Sequence, residues 1–236
     1  MKLLNSGNTK TKKGEALGWV TYGIHLAPAN ASGYNVCQFA SAGCRAACLN
    51  TAGRGQMPNV QKARINKTRY FFQDKRGFMD QLAKEIESAI KSAERKNMKA
   101  CFRLNLTSDL PWEAMRFYEG RKKSIVELFD GVQFYDYTKS AKRALQYTRG
   151  ELPANYHLTF SRSESNEAQA DLLQAAGVNV ATVFRGRLPD SWQGFPVLDG
   201  DENDLRFLDR RRHVVGLIEK GLAKKDATGF VKEPAQ

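Results

Sequence analysis

Long hydrophobic runs are missing from this chain of 236 residues, of which 42% are hydrophobic. Its mean hydropathy is −0.53. A membrane-spanning helix needs about 20 consecutive apolar residues, and a secretory signal needs a shorter apolar core. Neither pattern occurs, and residues 1–14 are polar and basic. We therefore expect a cytoplasmic protein without membrane association, with a core sufficient for one large domain or two small ones.

Histidine and cysteine are scarce, with three and four residues respectively. The histidines are scattered, and no Ser-His-Asp set of a hydrolase can be recognised around them. The cysteines include no Cys-x2-Cys pair, which a structural zinc site normally uses. No glycine-rich turn follows the first predicted strand, so a dinucleotide-binding sheet is not favoured.

Three of the four cysteines, Cys37, Cys44 and Cys48, lie close together in a glycine-containing loop, whereas Cys101 is distant in sequence. Thiolates prefer zinc or iron–sulfur clusters, and cytoplasmic thiol clusters are more often metal or catalytic sites than disulfides. Three cysteines can hold a [4Fe-4S] cluster and leave one iron open to a small molecule. The alternatives are a zinc ion, with Cys101 or His25 as fourth ligand, and three unligated thiols.

Positive charge is in excess, with a formal net charge of +12 and a pI of about 9.6. This balance favours an anionic partner, with a nucleotide or nucleic acid first. The densest basic run covers residues 61–76, where Lys62, Lys67 and Arg69 are expected near one helical face. That face is predicted to be either a phosphate-binding surface or the solvated side of an amphipathic helix.

Strand-like segments alternate with segments of helical periodicity. The predicted strands are 17–26, 100–106, 132–137, 156–160, 178–184, 195–198 and 214–218, and the predicted helices are 60–72, 78–96, 111–129, 140–147 and 166–176. This alternation is typical of βα units. We predict an α/β fold, a partial (β/α) barrel of six or seven mainly parallel strands, with the cysteine loop directly after the first strand. Residues 1–15 are predicted to be a flexible basic arm, and residues 16–236 a single barrel-like domain.

Polar residues gather where the predicted strands end, which in a barrel is where loops build the active site. The candidates for catalytic roles are Asp109, Glu113 and Lys139. The candidates for binding a cofactor are Asn105, Ser108, Asp136, Ser161, Arg185 and Arg54. The alternative is that these residues are polar because strand ends meet water and cap helices.

Six segments of the chain resemble the bacteriophage "gene product 88"-like family. They are residues 35–55, which contain the three clustered cysteines, and residues 104–113, 134–139, 156–161, 199–209 and 215–221. The resemblance covers most of the chain. It implies a viral origin, and therefore the cytoplasm of a host cell, but no particular chemistry.

The order of these features is also similar to that of radical S-adenosylmethionine enzymes, where a cysteine loop follows the first strand of a partial barrel. That resemblance implies S-adenosylmethionine as a cofactor at the open iron. The Cys-x6-Cys-x3-Cys spacing differs from the Cys-x3-Cys-x2-Cys of those enzymes, and residues 107–109 replace a Gly-Gly-Glu. We expect an iron–sulfur protein, with a radical reaction on a nucleotide or nucleic acid as one hypothesis. The alternative is a non-enzymatic nucleic-acid-binding or host-interaction protein with a structural metal site.

Overall fold

The structure is a computed structural model that describes residues 1–6, 13–116 and 122–234. Its centre is a ten-stranded sheet. The strands are β1 Asn5–Ser6, β2 Trp19–Gly23, β3 Lys99–Arg103, β4 Gln133–Thr138, β5 Tyr156–Ser161, β6 Val180–Phe184, β7 Ser191–Trp192, β8 Phe195–Asp199, β9 Val214–Ile218 and β10 Val231–Lys232. All seven predicted strands are present. The additional strands β1, β7 and β10 have two residues each, too few to show a period in the sequence.

The strands follow the order β1-β2-β3-β4-β5-β6-β9-β8-β7, with β10 beside the end of β6. The seven longer strands are parallel to their neighbours, and β1 and β7 are antiparallel to theirs. From β2 to β6 each strand is added on the same side, so right-handed crossovers place their helices on one face. The sheet is open, ending at β1 and β7 within the described part of the chain. The predicted mixed α/β class is confirmed, whereas a barrel is not.

The α-helices of the described residues agree closely with prediction except in one segment. They are α1 Ala42–Ala46, α2 Pro58–Gln73, α3 Lys75–Glu94, α4 Ile125–Leu128, α5 Ala141–Thr148 and α6 Glu167–Ala175. Helix α3 begins before the predicted break at Gly77, because the Asp74 side chain accepts a hydrogen bond from Gly77 N at 2.8 Å and caps the first turn. Of the helix predicted over 111–129, only the short α4 is described, and residues 117–121 lie outside the described residues.

One face of the sheet packs against these helices, and we call it the helix face. Alternate strand residues such as Val20, Phe102, Phe134 and Leu158 form a continuous core there. The buried residues of α3 recur at helical spacing and complete that core: Phe78, Met79, Leu82, Ile86, Ala89 and Ala93. Apolar burial at about 25 cal/mol per Å² makes this core the main favourable contribution to folding.

The opposite face of the sheet is rich in polar side chains, and we call it the polar face. It comprises Thr21, Cys101, Arg103, Tyr135, Tyr137, Thr159 and Ser161, which share one side by strand register. The segment after β8 covers part of this face, since Leu205 and Phe207 pack with Cys101 and Tyr135. The polar face is therefore sheltered from solvent without being apolar.

The first residues of the predicted arm contact the body of the protein. Leu3 and Leu4 are buried, and their N–H groups donate to the Glu85 carboxylate at 3.0 and 2.7 Å. Residues 7–12 of the arm lie outside the described residues, so the flexible arm and the single domain 16–236 stay predictions. Among the described helices, none combines the length and apolar character needed to cross a membrane.

Candidate metal and ligand site

The first clustered cysteine is held to the loop that follows β3. Cys37 Sγ donates to Thr107 O at 3.7 Å, and Asp109 N donates to Val36 O at 2.8 Å. Thr107 Oγ1 in turn donates to Leu26 O at 2.6 Å. The cysteine loop therefore begins at the carboxyl edge of the parallel strands, where α/β proteins commonly bind ligands.

The second cysteine lies in the short helix α1, which is fixed by a residue that follows β5. Ser41 Oγ accepts from Cys44 N at 3.1 Å and so caps the helix. The Glu164 carboxylate accepts from Ser41 Oγ and from Gly43 N, each at 2.8 Å. The loop thus spans the sheet edge from β3 to β5.

The carboxyl-terminal segment packs on the other side of α1. A Cβ atom added at Gly43 would lie 2.2 Å from Thr228 Oγ1 and 2.8 Å from Phe230 Cβ. Ala47 of the cysteine loop is buried with Ala223 and Val231 in a small apolar cluster. Only glycine permits this approach of the two segments at position 43.

The third cysteine is linked to α2 through Asn50. Cys48 Sγ accepts from Asn50 N at 3.5 Å. The Asn50 side chain donates to Gln61 Oε1 at 3.0 Å and accepts from Arg64 Nη1. Arg64 is buried, and its charge lowers the pKa of Cys48. One cation of the predicted basic run therefore faces the thiols.

The three clustered thiols share one electrostatic environment. Burial is the main cause that raises the pKa of Cys37 to about 11, and nearby Cys48, Cys44 and Asp109 raise it further. Burial also raises the pKa of Cys48, with Cys44 adding to the effect and Arg64 and Lys139 opposing it. Because metal ligation requires thiolates, a metal would have to displace these protons.

The thiols are nevertheless not arranged around a single ion. Within the part of the chain that the structure describes, no group of three or more His, Cys, Asp or Glu residues is placed to hold one metal ion. Cys101 is separate, buried on the polar face, where its Sγ lies 3.3 Å from Thr21 Oγ1. Burial raises the pKa of Cys101 to about 12. The structure thus brings the three clustered cysteines together and leaves the fourth apart.

Lys139 and Ser161 lie beside this cysteine group. The Lys139 Nζ atom donates to Ser161 Oγ at 2.6 Å and lies 5.5 Å from the Phe230 ring centroid. The backbone N of Lys139 donates to Asp109 Oδ2 at 2.8 Å. Three of the predicted site residues are therefore neighbours of the cysteines.

Asn105 is buried and organises the loop after β3. Its Oδ1 atom accepts from Ser108 Oγ, Leu110 N and Trp112 Nε1 at 2.7, 2.9 and 3.0 Å. Its Nδ2 atom donates to Leu110 O at 2.9 Å and to Asp136 Oδ2 at 3.2 Å. The Asn105 side chain is therefore fully bonded within the protein, and together with Ser108 it shapes the loop after β3.

Asp109 and Glu113 both bind Arg143, a residue that the sequence did not single out. Arg143 donates to Glu113 through Nε at 2.7 Å and Nη2 at 3.0 Å, and through Nη1 to Asp109 Oδ1 at 2.6 Å. All three side chains are largely buried. The sequence feature that could have identified Arg143 is its position beside Ala144 on the buried side of α5.

Asp136 is fully buried on the helix face. It accepts from Asn105 N at 2.8 Å and from Tyr156 Oη at 3.0 Å. Burial is the main cause that raises its pKa to about 7, although these hydrogen bonds and the charges of Arg103 and Arg143 oppose the rise. Asp136 therefore supports the Asn105 loop from beneath and does not face the cysteines.

Two predicted binding residues and one basic residue lie apart from this group. Arg185 pairs with Glu233 at 2.5 Å and donates to Asp226 O at 2.8 Å, so it fastens the carboxyl-terminal segment. Arg54 is exposed. Lys67 does not share the exposed face of Lys62 and Arg69, because it is buried and its Nζ donates to Leu3 O at 2.8 Å. Burial lowers the pKa of Lys67 to about 8.

Comparison with known proteins identifies the family. The family model described as gene product 88 matches residues 2–234, so the chain belongs to that family. The phage family resemblance of the sequence is thereby confirmed. No curated protein and no solved structure matches the chain. The resemblance to radical S-adenosylmethionine enzymes has no support from these comparisons.

Proposed function

We propose that this member of the gene product 88 family is an iron–sulfur protein in which Cys37, Cys44 and Cys48 hold a [4Fe-4S] cluster at the carboxyl edge of its sheet. The observation that carries the proposal is the proximity of these thiols: after burial, Cys48 and Cys44 contribute to the raised pKa of Cys37, and Cys44 contributes to the raised pKa of Cys48. The sequential strand order with helices on one face is also the winding expected of a partial barrel.

The sequence spacing of the cysteines favours a cluster over one zinc ion, because no Cys-x2-Cys pair occurs. Three thiolates bonded to zinc at about 2.3 Å would lie about 3.8 Å from one another, as one tetrahedral group. The described residues contain no such group. In a cluster each cysteine binds a different iron, so the sulfurs lie farther apart while their charges still interact.

The surrounding cations suit a negatively charged cluster. Arg64 and Lys139 both act electrostatically on Cys48. Three thiolates give the oxidised cluster a net negative charge, which these two side chains offset in a partly buried site. Lys139 is fixed by Ser161 and Asp109, so its charge is held in place.

A cluster with three cysteine ligands leaves one iron to bind a small molecule, and on reduction it supplies an electron. We extend the proposal to S-adenosylmethionine as that molecule, with a nucleotide or nucleic acid as the substrate. The residues of this chain that face the open position in the proposal are Lys139 and Ser161, with Asp109 holding the backbone of Lys139. Their role is to bind and orient the ligand and to exclude water.

The decisive experiment is anaerobic purification with iron, sulfide and zinc analysis. We expect about four iron atoms and four sulfides per chain, with broad visible absorbance. Cys44→Ser should lose the iron and the colour, and Cys101→Ser, the matched control, should keep both. Colourless protein that contains about one zinc ion per chain would refute the cluster.

The cofactor is tested separately by electron paramagnetic resonance of the reduced protein. Adding S-adenosylmethionine should change the spectrum, and reductant should then yield 5′-deoxyadenosine. An unchanged spectrum without cleavage would remove the radical reaction and leave the cluster standing.

A nucleic-acid-binding function is the second candidate, and the stacked aromatic pair of Tyr34 and Phe72, the latter in α2, favours it. The rings of Tyr34 and Phe72 stack at 4.4 Å, Phe72 is 39% exposed, and the exposed Arg69 lies on the same helix. Aromatic rings beside cations are the usual platform for single strands. Binding of a single-stranded oligonucleotide should weaken with salt and with Phe72→Ala. If Cys44→Ser still binds the oligonucleotide, the metal takes no direct part in nucleic-acid binding and has only a structural role.

A further inference from the structure

Four buried polar atoms on or above the polar face have no hydrogen-bond partner among the described residues. They are Arg103 Nε, Tyr137 Oη, Thr159 Oγ1 and Arg206 Nε. Buried polar atoms are nearly always paired, and leaving one unpaired is destabilising. Four such atoms in one place indicate that something else satisfies them.

The four side chains meet around the ring of Tyr137. Tyr137 and Thr159 are directly opposite each other on β4 and β5. The guanidinium carbon of Arg103 lies 4.5 Å from the centroid of the Tyr137 ring. Arg206, in the segment that covers the polar face, interacts electrostatically with Tyr137. The unpaired atoms therefore form one cluster.

Both arginines are held in place by their other nitrogen atoms. Arg103 Nη1 donates to the two Asp204 oxygens at 3.1 and 2.9 Å. Arg206 Nη2 donates to Asn203 O at 2.7 Å, and Arg206 is 0% exposed. The free Nε–H groups are thus fixed donors, and a guanidinium can only donate. A group that satisfies them must accept hydrogen bonds.

We propose that this cluster, Arg103, Tyr137, Thr159 and Arg206, binds an oxyanion, the carboxylate or phosphate of a small ligand. Carboxylate and phosphate oxygens are the acceptors that arginine and hydroxyl donors pair with most strongly. Asp204 and the Asp209 partner of Arg206 balance the two arginines.

The oxyanion site adjoins the cysteine group. The inference rests on the proposed function and specifies the class of ligand that the open iron position would take. Ser161 lies two residues after Thr159 on the polar face, and its Oγ accepts from Lys139 Nζ at 2.6 Å. Lys139 in turn acts on Cys48. A ligand anchored by its oxyanion at Tyr137 would extend past Ser161 toward the open position.

Calorimetric titration tests the site, with inorganic phosphate, adenosine 5′-monophosphate and malonate as probes. The full chain is titrated both without metal and after anaerobic reconstitution. We expect saturable binding of at least one probe, and the probe that binds distinguishes phosphate from carboxylate. Tyr137→Phe removes one hydroxyl at constant shape and should weaken binding about tenfold.

Tyr135→Phe is the matched control on the same strand and face. The Tyr135 hydroxyl is already bonded to Thr21 Oγ1 at 3.2 Å and to Asp204 Oδ2 at 3.3 Å. Its loss should change probe affinity by less than about twofold, since it has no donor left for the ligand. Thr159→Val serves as a second test if Tyr137→Phe does not fold, and the same weakening is expected.

Ordered water is the competing occupant. If none of the three probes binds either form, or if Tyr137→Phe and Thr159→Val bind as the unmodified chain does, the oxyanion site is refuted. Probe binding by a chain that takes up no iron on reconstitution would keep the oxyanion site and count against the cluster alone. If iron-loaded protein binds no probe, the cluster proposal stands and the oxyanion site is refuted.

Discussion

The cysteine loop and the Arg143 cluster, which consists of Arg143, Asp109 and Glu113, adjoin each other at the same sheet edge. They differ in how their polar groups are used. In the Arg143 cluster, Asp109 and Glu113 share one arginine through short hydrogen bonds. In the cysteine loop, the thiols are half-buried and free, with only long sulfur contacts. One region thus has its bonding capacity filled by protein, and the other leaves most of it unused.

This difference changes how the predicted acids are interpreted. The sequence suggested Asp109 and Glu113 as an acid and a base, but in the structure both carboxylates are largely buried and paired with Arg143. Asp109 also orders the backbone at Lys139 and Val36. We infer that the cluster is the rigid support and that the loop is the reactive part.

Breaking the support should have the largest effect on stability. Arg143→Met leaves two buried carboxylates without their partner and should lower the free energy of unfolding by about 3–5 kcal/mol. Urea denaturation measures this loss. Adding Glu113→Leu to Arg143→Met should restore part of it, whereas a further loss of the same size would contradict the ion-pair account. Iron content per folded chain should stay unchanged.

The pH dependence of stability tests Asp136, the buried carboxyl that supports the Asn105 loop from beneath. The folded pKa of Asp136 is about 7, against about 3.8 unfolded. Between these values only the folded state holds the proton, so the free energy of unfolding should fall by about 1 kcal/mol per pH unit as pH rises. Above the folded pKa this contribution stays constant. Denaturation at about pH 5 and about pH 8 should show the slope, and Asp136→Asn should lack it.

Disturbing the loop should have a smaller effect on stability but a clear effect on metal binding. Gly43→Ala forces a methyl group against Thr228 and Phe230 and should cost about 1–3 kcal/mol through overpacking. Iron content should fall with it. Gly131→Ala is the matched control, because nothing lies within 4 Å of its added Cβ. Equal behaviour of the two variants would mean that the contact at Gly43 does not position the loop.

Removing one charge near the thiols should have the smallest effect. Lys139→Gln eliminates a cation that acts on Cys48 and should lower the midpoint potential of the proposed cluster by tens of millivolts, on the order expected for one partly screened charge. Lys142→Gln, an exposed neighbour in α5, is the control. A potential that is unchanged in Lys139→Gln would show that the ammonium group does not face the cluster.

Local patterns in the sequence were sufficient for most of the fold. The apolar spacing along α3 and the alternation in β4 and β5 predicted these elements within a few residues. They were readable because each buries one face, which fixes a period in the sequence. Strands β1 and β10 were not readable, because two-residue pairings depend on which segment lies alongside.

The candidate site was only partly readable, because its chemistry depends on contacts between distant segments. The cysteine spacing indicated the loop, and Lys139, a candidate for the same site, acts on Cys48 and donates to Ser161. Arg143 was missed because its partners are about 30 residues away in the chain. Asn105 and Asp136 were expected at a pocket, yet both are buried and saturated by hydrogen bonds.

The sequence by itself determined the parallel α/β class, the excess of positive charge and the three clustered cysteines, because each is a property of composition or local period. The tertiary structure alone decided which polar groups are left to react. It closed Asp109, Glu113 and Asp136 within protein contacts. It left the thiols with only long sulfur contacts, and the donors around Tyr137 without a hydrogen-bond partner among the described residues. The physical reason is that hydrogen-bond saturation depends on which groups meet in space, and a linear sequence does not specify those meetings.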